Sequence, residues 1–190
     1  MTYLVPHSPE KEICISNSGS LSGMTFLCKD MCDIKGFKSS CGNPDFYKHS
    51  IEALDYAPFL KKILNEGAIL KGITICDEFF YSIIGENKHY GTPENLNSPN
   101  CVPGGSSSGS AAALTNHDFD FTIGTDTGGS VRVPASFCGV FGFRPTHGRI
   151  DLNKVYPMAK SFDTLGWFSN NKPNMLKLGK IFFDNFREIQ

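Results

Sequence analysis

Apolar positions along the chain change their spacing several times, and each spacing predicts a different element. Residues 21–27 form a short apolar run that ends at Lys29. A strand there delivers the Lys29 side chain at its C-terminal edge. Residues 32–46, rich in Gly, Ser and Asn and carrying Pro44, read as loop. Across residues 53–65 the apolar side chains of Ala57, Leu60, Ile63 and Leu64 recur at the spacing of one helix face. Gly67 stands where the cap of that helix belongs. Residues 68–76 read as a buried strand, and this alternation of helix and strand predicts an α/β layered fold.

Further along, residues 77–84 read as a short helix carrying Phe79, Phe80 and Tyr81. Residues 86–103 are loop, and a loop of that length inside a compact domain is uncommon and often functional. A short helix is expected over 110–114, strands over 119–124 and 138–143, and a terminal helix over 174–188. No internal repeat or linker interrupts the series.

Composition narrows the class. The chain has 190 residues, 40% hydrophobic and 19% charged, with a net charge of -1. That is the composition of a soluble globular protein with one sizeable core. The charge balance argues against nucleic acid or an anionic membrane as partner, since both call for a clustered basic surface. No apolar run reaches the roughly 18 residues of a membrane helix, and the N-terminus lacks the features of a signal peptide. The seven cysteines are odd in number, without zinc spacing, so reduced thiols in a cytosolic or stromal protein are expected. The location expected is cytoplasmic, with no cofactor and no metal.

Chemistry concentrates in two segments, Gly104-Gly-Ser-Ser-Ser-Gly-Ser110 and Gly124-Thr-Asp-Thr-Gly-Gly-Ser-Val-Arg132. A flexible linker is disfavoured because each runs directly into structured sequence. The first has the glycine spacing of a P-loop without its lysine. It also satisfies the G-x-S-x-G pattern of a nucleophile elbow, but Asn-Ser-Pro-Asn-Cys-Val-Pro precedes it, which cannot be the strand an elbow needs. In the second, Gly128 and Gly129 stand directly before Ser130. Glycines there allow successive N–H groups to converge on a developing oxyanion.

A serine nucleophile needs a base. None of His7, His49, His89, His117 and His147 sits in a setting that compels the role, although composition does not exclude a histidine. His7 and His49 read as surface residues. Ser–Lys pairs are the alternative, provided the lysine is desolvated enough to be neutral. Lys29, behind an apolar run, has that setting. Ser169-x-x-Lys172 also fits an S-x-x-K pattern but lies in a polar turn, and is a chance match.

These residues resemble the amidase signature family. Residues 103–113 and 124–139 look like its two central blocks, Gly142-Phe-Arg-Pro-Thr-His-Gly148 like the block that closes them, and Cys28-Lys-Asp30 with Gly36 like its lysine motif. The resemblance runs from about residue 21 to residue 168. Within the family, Asp77-Glu78, Gly85-Glu-Asn87, His89-Tyr-Gly-Thr-Pro93 and residues 161–168 look most like plant-type amidases that hydrolyse indole-3-acetamide, and like amidase-like domains of chloroplast import receptors.

The resemblance implies a mixed β-sheet flanked by helices, with residues 1–190 forming a single, partial amidase domain. It implies Ser130 as nucleophile, Ser106 as relay after a cis peptide bond from Gly105, and Lys29 as neutral base. Thr127, Gly128 and Gly129 would supply oxyanion N–H groups, with Ser107 and Asp126 as supporting hydrogen-bonding residues. Arg132 either orients an acidic substrate or forms a structural ion pair. The implied reaction is acyl transfer from a small carboxylic amide through an acyl-enzyme.

Members of the family are usually far longer, and their C-terminal half adds strands and lines much of the acyl pocket. A truncated portion is therefore expected, able to form a homo-oligomer or to take a complementing C-terminal half as partner. The alternatives are a glutamine-hydrolysing subunit of a tRNA amidotransferase and a non-catalytic docking or scaffold protein.

Overall fold

The computed structural model describes residues 3–184. Its centre is a five-stranded mixed sheet in the order β2-β1-β3-β5-β4. The strands are β1 (Thr25–Lys29), β2 (Ile69–Thr74), β3 (Phe121–Asp126), β4 (Phe141–Phe143) and β5 (Thr164–Ser169). β1 lies parallel to both β2 and β3, whereas β5 runs antiparallel to β3 and β4. The expected mixed sheet with flanking helices is therefore present.

Strand alternation sends side chains to two faces. On one, Phe26, Cys28, Phe121, Ile123, Leu165 and Trp167 join the larger core. Helix α2 (Pro58–Asn65) buries Phe59, Leu60, Ile63 and Leu64 in that core, and α5 (Lys172–Phe182) adds Leu178 and Ile181. The opposite face takes α3 (Ser108–Leu114) and α4 (Arg132–Cys138), whose Ala111, Leu114, Ala135 and Cys138 pack with Phe168.

Several elements differ from expectation. The predicted loop over 32–46 contains the start of α1 (Pro44–His49), whose Asn43 side chain accepts from the Phe46 N–H at 2.7 Å. This helix buries no residue, so no apolar period announces it. The helix expected over 77–84 shrinks to one 3-10 turn at Glu78–Phe80, because Phe79 (φ 47°) and Phe80 (φ 67°) leave the helical region. The strand expected over 138–143 is strand only at Phe141–Phe143, since α4 runs through Cys138 and ends on Gly139 at φ 64°. β5 is buried at all six positions and so lacks the two-residue alternation that marks a half-exposed strand. The expected terminal helix appears as α5, and the part of that expectation beyond residue 184 lies outside the described residues.

Close packing at the sheet centre depends on small residues. Gly124 of β3 pairs with Gly166 of β5. A Cβ on Gly124 would stand 2.5 Å from Ser107 Oγ, and one on Gly166 would stand 2.6 Å from the Phe143 carbonyl oxygen. Since a backbone oxygen cannot swing aside, Gly166→Ala is expected to lower the unfolding free energy by about 1–3 kcal/mol. Gly128→Ala, whose added Cβ meets nothing within 4 Å, serves as the control. Its effect should stay within about 0.5 kcal/mol. Urea unfolding of the two variants checks both figures, and equal losses would rule out the packing explanation.

Candidate active site

The parallel strands β1 and β3 end side by side, which brings Lys29 and Asp126 to one edge of the sheet. Ligand sites of open α/β sheets lie outside such carboxyl ends. Lys29 has no exposed surface. Its Nζ donates to Ser106 Oγ at 2.8 Å and to Thr125 Oγ1 at 3.0 Å. Burial holds the amine down from its ordinary value to about 8, against the upward pull of Cys76, Asp77, Asp126 and Cys41.

Ser106 follows a cis peptide bond from Gly105 and is fully buried. The neighbouring serines tie the segment to the sheet: Ser107 Oγ donates to the Thr125 carbonyl at 3.2 Å, and Ser110 Oγ to the Ile123 carbonyl at 3.0 Å. The Ser107 N–H donates to the Ser130 carbonyl at 3.3 Å, so the two serine-bearing segments meet beside Lys29. Ser130 itself is 4% exposed and follows Gly129 at φ 142°, a conformation glycine accepts without strain.

Asp126 organises the turn that carries Ser130. Its carboxylate accepts the N–H groups of Gly129 (2.8 Å), Val131 (3.1 Å) and Arg132 (3.2 Å). Arg132 adds Nε at 3.0 Å and Nη2 at 2.9 Å, and Arg144 Nε stands 3.3 Å away. Burial pushes this carboxyl up, but the Arg132 guanidinium and the backbone N–H groups outweigh it and leave it below its ordinary value. Arg132 is therefore engaged in an ion pair with Asp126. Gly129 likewise spends its N–H on Asp126, which leaves Thr127 and the exposed Gly128 as the glycine-turn residues whose N–H groups Asp126 does not take.

A cavity of about 340 Å³ opens next to these residues, lined by Phe80, Thr125, Thr127, Leu152, Tyr156 and Met158 among others. Thr125 therefore touches both the cavity and Lys29. Phe80 does the same, its ring centroid lying 4.7 Å from Lys29 Nζ. Asp163 accepts the Thr127 hydroxyl together with the N–H groups of Met158 and Ala159, each at 3.0 Å. Reading the sequence singled out none of Thr125, Phe80 and Asp163 as site residues. Thr125 and Asp163 lie inside quoted motif segments, whereas no spacing marks Phe80.

The histidines are elsewhere. His7, expected at the surface, is instead stacked on Tyr47 at 4.1 Å, with Nε2 3.3 Å from Asp30. Apolar packing and a buried carboxylate hold it there. His49, His89, His117 and His147 are exposed. Among the described residues, no three His, Cys, Asp or Glu side chains converge as a metal site.

The buried amine makes a signed prediction. With a folded value near 8 and an unfolded value of 10.5, Lys29 carries no pH-dependent penalty above pH 10.5; the penalty grows as pH falls from 10.5 to about 8 and stays constant below. Lys29→Met removes that pH-dependent penalty of about 3 kcal/mol, on top of a packing and hydrogen-bond cost that does not vary with pH in the variant. The variant should thus gain on the parent by roughly that amount between pH 10.5 and pH 7. Denaturant unfolding at the two pH values measures it, and a difference independent of pH would show that Lys29 is not depressed.

With this geometry in hand, similarity to known proteins becomes informative. The family model described as Amidase matches residues 8–176. Amidase 1 of Arabidopsis thaliana is 52% identical over 166 residues, covering 87% of this chain and 39% of that protein. Translocon at the outer membrane of chloroplasts 64 of Pisum sativum is 44% identical, covering 85% of this chain and 27% of that protein. A solved amidase structure superposes with a TM-score of 0.78 at 34% identity, covering 86% of this chain and 37% of that one. The chain thus spans about two fifths of the length of the Amidase 1 relatives it matches, 39% and 40%.

The expected cytoplasmic location does not stand. The translocon relative is named for the outer membrane of chloroplasts, and two relatives of Arabidopsis thaliana at 39% and 44% identity are named for the chloroplast and mitochondrial outer envelopes. Reduced buried thiols report only reducing surroundings, which the cytoplasm shares with other faces of the cell. No helix among the described residues is long and apolar enough to cross a membrane. The family model, the identity and the superposition agree: the chain belongs to the amidase family.

Proposed function

We propose that this chain carries the hydrolytic machinery for small carboxylic amides, with Ser130 as nucleophile, Ser106 as relay and Lys29 as base. The observation that carries the reading is the fully buried Lys29 amine 2.8 Å from Ser106 Oγ, beside the turn that bears Ser130. An amine depressed to about 8 is partly neutral near neutral pH, and only the neutral form has the lone pair a base requires.

In this mechanism neutral Lys29 takes the Ser106 hydroxyl proton while Ser106 takes the proton of Ser130. Ser130 Oγ attacks the amide carbonyl carbon, and the carbonyl oxygen becomes an oxyanion. The N–H groups of Thr127 and Gly128 face that charge in our reading, and Gly129 holds the turn through Asp126. Ser107 supports the turn through its N–H bond to the Ser130 carbonyl. The C–N bond then breaks, the relay protonates the leaving ammonia or amine, and water hydrolyses the acyl-enzyme. The acyl group occupies the cavity between Phe80, Tyr156 and Met158.

A second reading, a non-catalytic docking module, draws support from the 44% identity to the translocon protein. A fluorophosphonate probe separates the two. Labelling is expected at Ser130, absent in Ser130→Ala, and reduced by roughly 10²–10⁴-fold in Lys29→Ala. The labelling rate should climb with pH through about 8 and level off above it. Well-folded protein that takes no label would leave the docking reading. Ammonia release from an arylacetamide rather than from glutamine then distinguishes the amidase from an amidotransferase subunit.

A further inference from the structure

Two consecutive phenylalanines, Phe79 at φ 47° and Phe80 at φ 67°, occupy the left-handed region that glycine favours and bulky side chains avoid. Hydrogen bonds pin them there. The Phe79 N–H donates to the Cys41 carbonyl at 2.8 Å, and the Phe80 N–H to the Asp77 carbonyl at 2.9 Å. The Phe79 ring packs edge-on against Phe46, with centroids 5.7 Å apart. The unusual backbone sends the two rings to different places. Phe79 stays partly exposed at 44%, while Phe80 is only 5% exposed and its ring lies over Lys29 Nζ.

Phe80 and Thr125 are the cavity-lining residues that also contact Lys29. Thr125 makes a polar contact, whereas Phe80 lays its ring face over the amine, which attracts the ammonium modestly and stands between Lys29 and the cavity. We propose that Phe80 is a seal over Lys29, a positioning residue that keeps the cavity's water off the base. This rests on Lys29 being the base of the proposed amide hydrolysis.

The other groups facing Lys29 are Asp77 and Cys76 after β2, Cys41 before α1, and Asp126 at the end of β3. All of them pull the amine toward its cationic form, so burial alone opposes them. Removing the ring gives up its modest attraction for the ammonium but admits water, and because desolvation is the largest influence on this amine the base moves toward its ordinary value. The pH at which labelling or turnover rises therefore moves upward, by about one unit. A residue that merely filled space would lower stability and rate without moving that limb.

Phe80→Gly and Phe80→Asn test the seal, because both residues accept the left-handed backbone and remove the ring. Phe80→Tyr keeps the ring. Reductive methylation with formaldehyde and cyanoborohydride, read by mass spectrometry of the Lys29 peptide, reports access to the amine without requiring activity. In the parent and in Phe80→Tyr, Lys29 should stay unmodified while surface lysines react. In the other two variants its modification should speed up by roughly tenfold or more. Lys29 still protected in folded Phe80→Gly and Phe80→Asn would overturn the seal. Fluorophosphonate labelling of Ser130 is read in parallel. If no variant or parent takes that label while access to Lys29 follows Phe80, the seal stands and the catalytic reading falls.

Discussion

A lysine amine without contact to water is costly as a cation, and burial around Lys29 weakens its hold on the proton without abolishing it. The nearest hydrogen-bond partners, Ser106 and Thr125, are neutral hydroxyls. Two carboxyl groups, Asp77 and Asp126, lie close enough to draw a proton onto the amine. Each is diverted. Asp126 spends its charge on Arg132, Arg144 and three backbone N–H groups. Asp77 is pushed up by its own burial, although the Gly85 N–H donates to it at 3.0 Å. With both held off, desolvation decides the outcome, and the amine sits near 8.

That placement depends on how closely α3 approaches the sheet. Every residue of Ser108–Leu114 is buried, and three consecutive alanines, Ala111, Ala112 and Ala113, occupy most of its C-terminal half. Small side chains let the helix lie against β3, where Thr122 Oγ1 donates to the Ser110 carbonyl at 2.8 Å. Gly124 leaves room for Ser107. Replacing any of these with a larger residue would lift the serine segment from the strand edge. The same compaction that makes a core thus sets the Lys29–Ser106 separation.

Much of this was legible in sequence. The apolar run before Lys29, the helix face at Leu60, Ile63 and Leu64, and the glycine pair before Ser130 each follow from local pattern. So does the buried setting of Lys29, while the mixed sheet came from the family resemblance. What escaped prediction has a common physical cause, because it was decided by contacts distant along the chain. Whether Arg132 met substrate or a carboxylate depended on Asp126 turning inward. Gly129 was expected to serve an oxyanion, yet its N–H is taken by a side chain three residues earlier. Phe80 reads as one apolar residue among several, and only its left-handed backbone brings it over Lys29. β5 hid because burial on both faces erases alternation.

The site is made from irregular segments, and such segments lack the ladder that satisfies backbone N–H groups in strands and helices. Buried aspartates supply what the ladder does not. Asp30, 1% exposed, accepts the Ser40 N–H and fixes the segment after β1. Asp77, also 1% exposed, accepts the Gly85 N–H and anchors the stretch that bears Phe80. Asp126 shapes the turn before α4, and Asp163 gathers Met158, Ala159 and the Thr127 hydroxyl. A lone buried carboxylate costs several kcal/mol unless hydrogen bonds compensate it, so each of these positions favours the loop geometry that supplies donors. Asp163 joins the cavity wall at Met158 to the turn at Thr127, so the surface that would receive an acyl group and the turn before Ser130 share one anchor. The Lys29 amine sits among neutral hydroxyls, while the loops around it bury carboxylates against backbone donors. The two arrangements coexist because every one of these carboxylates points at backbone N–H groups, and Lys29 at neutral hydroxyls.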